Sequence, residues 1–165
     1  MNVHEIENWE EVKFAAEWWR NELVNFDGWS DTGNAFGDAL SSYVISKTKN
    51  KVTELQADVF ESRLRFHIAK TIKDCGYWDA KDVDHGSVFR IVRTNYHPCH
   101  VLNISLAEAA IEKSWKYLPK QVVMYINPGE IKVGKGYEVE VETVFTCEPS
   151  EYKKTLVEKV KGWVR

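Results

Sequence analysis

Asn95, Tyr96, His97, Pro98, Cys99 and His100 set two imidazoles, a thiol and a phenol around one proline. Imidazole and thiolate are the groups that bind zinc and carry nucleophilic catalysis. Pro98 fixes its own φ and restricts His97 before it, so these groups leave a stiff turn. Their spacing limits the chemistry. In an extended segment His97 and Cys99 share a face while His100 points away. A fourth zinc ligand would have to come from Cys75, Cys147 or His85. His97 with Cys99, or with a carboxylate, would make a small hydrolase, yet nothing identifies an orienting third group or an oxyanion hole. The plainer reading is a turn held by side-chain hydrogen bonds, with no metal and no cofactor.

Two arginines lead into this corner. Ser87 to Arg93 reads as a β-strand, and the odd separation of Arg90 and Arg93 sends one to each face. With Tyr96, His97 and Trp115, one of them can build a pocket in which a guanidinium forks onto a phosphate while a ring stacks a base. Lys135, in the turn Gly134 to Gly136, adds a cation beside backbone N–H groups that can cradle an anion. A hairpin connection accounts for Lys135 more simply, and the order of lysines and glycines there is not a phosphate-loop motif. Asp27, Asp31 and Asp38, with Asp79, Asp82 and Asp84, offer carboxylates for magnesium. Turn formation, helix capping and a solvated loop explain them equally well.

The elements that must position these residues follow from periodicity. Glu7 to Leu23 carries Val12, Ala15, Ala16, Trp19 and Leu23 at helical spacing. A second helix spans Thr32 to Lys47. A third runs from a capping box at Thr53 and Gln56 to Cys75, with Gly76 as its stop. Tyr77 to Gly86 is a polar linker loop. Beyond it come a strand at Val88 to Thr94 and a short helix opened by Ser105 and Glu108. A strand at Gln121 to Ile126 follows, then the turn Asn127, Pro128, Gly129, Glu130, where Pro sets φ and Gly takes the positive φ after it. From Tyr137 to Phe145 the odd residues face one way, and Glu138, Glu140 and Glu142 form the wet face. Ser150 to Trp163 closes as an amphipathic helix. Helices first, then a small antiparallel sheet and a C-terminal helix, make an α+β domain. The chain reads as one domain over 1–165, with a helical part at about 5–76 and a sheet-containing part at about 87–165.

The 165 residues are 44% hydrophobic and 13% aromatic, enough for a sizeable core. A net charge of −3 argues against long nucleic acid as a partner. Adjacent Trp18 and Trp19 lie about 100° apart on a helix, so one ring stays partly outside the core and offers an interaction surface. Three cysteines without CxxC spacing give no disulfide framework. No leader-like start and no long apolar run are present, which predicts a cytoplasmic protein without a membrane span.

The order Trp18-Trp19, Phe26-Asp27, Asp31-Thr32-Gly33-Asn34, Tyr96-His97-Pro98, Leu118-Pro119, Met124 and Gly134-Lys135-Gly136-Tyr137 resembles a group of small phage and prophage proteins of Gram-positive bacteria. Lys120 stands where that resemblance leads one to expect a tryptophan. The resemblance implies a counter-defence protein in the host cell cytosol. It would be a non-catalytic sponge that sequesters an immune nucleotide, either a cyclic nucleotide or an ADP-ribose derivative. Arg90, Arg93, Tyr96, His97, His100 and Lys135 would be its binding residues. A homo-oligomer would let a pocket at a subunit boundary encircle that ligand. The alternative partner is a host defence protein, such as a nuclease inhibited in the manner of an anti-CRISPR, through exposed aromatics around Trp18 or Trp29.

Overall fold

The computed structural model describes residues 2–25, 52–112, 117–136 and 140–150. A single turn, α1 (Val3–Ile6), leads into α2 (Glu10–Asn25), which buries Val12, Ala15, Ala16, Trp19 and Leu23. Trp18 is only half-buried beside the sealed Trp19, as their angular offset requires. Thr53 caps α3 (Glu54–Cys75) reciprocally: its hydroxyl accepts from the Gln56 N–H, and the Gln56 side chain accepts the Thr53 N–H. Arg20 joins the two helices, its Nη2 lying 2.7 Å from Glu54 Oε2 and 2.8 Å from Asp58 Oδ1. The helix expected at Thr32 to Lys47, Trp115 and the closing helix beyond Ser150 lie outside the described residues.

Among the described residues five strands form an antiparallel sheet: β1 (Ile91–Asn95), β2 (His97–Pro98), β3 (Gln121–Asn127), β4 (Glu130–Lys135) and β5 (Val141–Thr146). Their spatial order is β2-β1-β3-β4-β5, and α4 (His100–Glu108) follows β2. The expected turn at Pro128 and Gly129 joins β3 to β4, with Gly129 at φ +77. The fold is α+β.

Three local expectations are corrected. The run from Ser87 is not yet strand: Ser87–Arg90 is a 3-10 turn, because Gly86 reverses the chain at φ +73 and the Phe89 N–H bonds back to the Gly86 carbonyl. Ser105 does not open a helix. Cys99 is the N-cap of α4, and Ser105 sits inside it, buried, donating to the Val101 carbonyl at 2.7 Å. β5 does not keep a clean alternation, since Ile131 pairs with Phe145 but Lys132 pairs with Thr143. Val144 is therefore an extra residue, a bulge that exchanges faces along the strand. Phe145 turns inward and stacks on Phe14 of α2 at 4.4 Å, while Val141 and Thr143 turn outward.

The sheet has two unlike faces. Val92, Val122, Met124, Ile126, Ile131 and Val133 join Trp19, Phe60, Leu64, Leu102 and Leu106 of the helices in one hydrophobic cluster. Ile91, Arg93, Val123, Tyr125 and Lys132 alternate with these and belong to the other face, outside that cluster. Among the described residues, then, the helices cover one side of the sheet. No described helix is long and apolar enough to cross a membrane.

Candidate functional site

Arg90 is where sequence and structure part most sharply. It is 2% exposed, and all five of its N–H donors are engaged. Nε donates to the Ile126 carbonyl at 2.9 Å, and Nη1 to the carbonyls of Tyr77 at 2.6 Å and His85 at 2.9 Å. Nη2 donates to the Val83 carbonyl at 2.9 Å and to Asn127 Oδ1 at 3.1 Å. Its Cζ lies 5.5 Å from the centroid of the Trp78 ring. Burial lowers its pKa, and the electrostatic influence of Cys75 and Asp84 opposes that shift. A guanidinium so enclosed has no donor left for a phosphate, which corrects the expectation that it grips one. The 3-10 turn explains the difference, because it places Arg90 off the strand alternation and under the loop.

That loop is the platform for an exposed aromatic group. Tyr77 and Phe89 stack at 5.8 Å with an interplanar angle of 19°, yet they remain 45% and 55% exposed. His85 stands edge-on to Tyr77 at 4.9 Å, and neighbouring Val88 is 68% exposed. Gly86 makes the approach possible: a Cβ there would lie 2.5 Å from Tyr77 Cβ. Beneath the loop, the Trp78 Nε1–H donates to the Ser150 carbonyl at 2.7 Å, and the Trp78 ring packs 4.8 Å from Trp9. Tyr77 is thus displayed by a segment whose next residue is pinned in the core.

The aromatic group continues onto the outer face of the sheet. The 3-10 turn packs beside β3 and leads directly into Ile91, whose cross-strand partner is Tyr125. Lys132 and Thr143 extend that row, and the next holds Arg93, Val123 and Val141, which is 42% exposed. The result is an apolar strip with cations among it. Sequence reasoning missed Tyr77, Val88, Phe89 and Tyr125. The signal was the pair Val88-Phe89 just after a glycine in a polar loop; assigning them to a strand concealed it, since alternate strand residues are expected to be buried.

Of the remaining proposed ligand residues, Arg93, Tyr96, His97 and His100 stay at the corner of β1, β2 and α4, whereas Lys135 lies on β4, two strands from β1. Arg93 is exposed on the outer face opposite Val123, and no ion pair joins it to a described residue. Tyr96 occupies the tip between β1 and β2 at φ +59, 45% exposed, its N–H donating to the Lys120 carbonyl at 2.7 Å. His97 and His100 are exposed, on β2 and at the first position of α4. Lys135 lies on the helix side, with Nζ 2.7 Å from Glu22 Oε1 and 5.0 Å from the Trp18 ring centroid. That geometry sets Lys135 apart from the other proposed ligand residues. Among the described residues no hydrogen bond joins Cys99 to His97, and no group of three or more His, Cys, Asp or Glu is gathered for a metal.

A second network secures the same end of the sheet. Glu11, fully buried, accepts from the Gly129 N–H at 2.9 Å, the Ser150 N–H at 3.0 Å and the Ser150 hydroxyl at 2.8 Å. Burial, reinforced by Glu11, pushes the Cys147 thiol up to about 11.

Comparison with known proteins sets this geometry in a family. No curated protein sequence matches the chain. Among solved structures, the chain is similar to a BTG/Tob domain of C. elegans FOG-3. The two are 16% identical with a TM-score of 0.53, over 93% of this chain and 95% of that one. The likeness is one of fold. The BTG family model matches residues 38–146, from before α3 to the last residue of β5. These findings overturn the resemblance to phage and prophage proteins, which rested on short, scattered motifs. With it go the nucleotide sponge and the inhibitor of a defence nuclease, neither of which the family supports. Spanning well over half of the sequence and every described strand, the match makes this chain a member of the BTG family.

Proposed function

We propose that this chain is a non-catalytic docking domain that binds another protein through the aromatic strip at Tyr77, Val88 and Phe89 and the adjoining outer face of the sheet. The observation that carries this reading is the Tyr77–Phe89 stack, two large rings fixed against each other and still about half-exposed. Rigid aromatic side chains lose little entropy on binding and dominate interface energetics. Scattered exposed apolar residues need no explanation, but a grouped set on a braced loop does. Ile91, Val123 and Tyr125 extend the apolar area, and Arg93 and Lys132 supply a polar rim. The partner surface this suits is apolar at its centre, with acidic groups placed to meet Arg93. Three free thiols suit a reducing compartment, and we place the protein in the cytoplasm.

The test is parallel selection of a proteome-fragment display library on the immobilised chain and on its Phe89→Ala variant. Fragments retained by the first and lost by the second mark this face, with affinities differing by about 30-fold for a hot-spot ring worth about 2 kcal/mol. If both baits return the same fragments at equal affinity, the strip is not the docking site.

A further inference from the structure

We propose that Arg90 is the positioning residue of this docking face, holding Tyr77 in its stack on Phe89 before a partner arrives; the proposal rests on the docking reading above. The residues it grips define the role. Ile126 and Asn127 end β3, a fixed part of the sheet, whereas Tyr77, Val83 and His85 belong to the loop. One planar group therefore fastens three loop carbonyls to the sheet. Among the described residues the other backbone bonds of this segment are local: Asp82 N–H to Asp79, His85 N–H to Asp82 and Ser87 N–H to Asp84. Trp78, buried and bonded to the Ser150 carbonyl, anchors its start.

Arginine suits this task where lysine does not. Five donors fan out in one rigid plane, and the weakly hydrated guanidinium is desolvated more readily than an ammonium. A ring held ready loses less freedom on association than one that must be collected from a mobile loop, so pre-positioning appears directly as affinity. Arg90 is buried and touches no partner. Its effect travels through the Tyr77 and His85 carbonyls to rings that do.

Arg90→Lys and Arg90→Met are compared with the wild-type chain by site-resolved amide exchange and by binding of a fragment that depends on Phe89. The amides of Asp82, His85 and Ser87 are expected to exchange at least about tenfold faster in Arg90→Met, with Arg90→Lys between it and wild type, while α3 amides keep wild-type protection. Fragment affinity is expected to fall about tenfold, about 1.4 kcal/mol, with Phe89 intact. Loop amides that exchange as in wild type overturn the proposal. So does acceleration of loop and α3 amides together, which would show a general structural role. If no fragment depends on Phe89, the docking reading falls and takes the positioning role with it, while the exchange data still report whether Arg90 holds the loop.

Discussion

Glu11→Ala should be among the most damaging single substitutions in this chain. Its carboxylate is fully buried on α2 and receives three donors, two from Ser150 and one from the tip of the β3–β4 hairpin at Gly129. A hydrogen bond to a charged group contributes about 1.5–3 kcal/mol, and burying the carboxylate offsets part of the sum. Truncation also strands two N–H groups and a hydroxyl beside a new void. We expect a net loss of about 3–5 kcal/mol. Glu11→Gln separates geometry from charge. Its Oε1 can accept both N–H groups and its Nε2 can donate to Ser150 Oγ, so it should cost only about 1 kcal/mol. In urea, with a slope of about 2 kcal/mol/M, the midpoint should fall by about 2 M for alanine and about 0.5 M for glutamine. An alanine midpoint within about 0.5 M of wild type would refute the reasoning. So would a glutamine variant as unstable as the alanine one.

Other outcomes follow from single contacts. Gly129→Ala forces an alanine to φ +77 with its Cβ 2.8 Å from Pro149 Cγ, so thermal unfolding should show a loss of about 2 kcal/mol or more. Thr53→Ala removes one half of the capping box on α3 and should cost about 1 kcal/mol, read by urea midpoint, with Thr53→Ser restoring it. Alkylation at pH 8, followed by peptide mass mapping, should modify Cys147 slowest of the three cysteines, because a thiol held up at about 11 is rarely thiolate there. The same shift fixes a sign. The folded chain keeps the Cys147 proton more tightly than the unfolded chain, so this stabilisation is intact below about pH 9 and fades as pH climbs from there to about 11. A Cys147→Ser variant should lack that alkaline fall.

The helices were legible because their signals are local. The box at Thr53 and Gln56, the stop at Gly76 and the apolar spacing of Val12 to Leu23 act within a few residues of where they are read. The Pro128-Gly129 hairpin was legible for the same reason. The face of Arg90 was not, because it depends on five acceptors spread from Tyr77 to Asn127, far beyond any window of periodicity. The same holds for Glu11, which the sequence presents as one of several helix-surface glutamates until Gly129 and Ser150 are brought to it by the fold. Short motifs misled most. Ser105 and Glu108 have capping-box spacing but sit within α4 because Pro98 has already directed the chain into a helix. The scattered matches behind the phage resemblance carried no three-dimensional constraint at all.

The extra residue at Val144 bears on how the family diverges. Before it, β5 shows its odd-numbered side chains to the outside; after it, Phe145 points to the helices. A homologue in which β5 ran without that residue would keep one part of the strand in register and turn the other part to the opposite face. Lining up two such strands without a gap would compare inward residues with outward ones over half their length, and real kinship would be scored as noise.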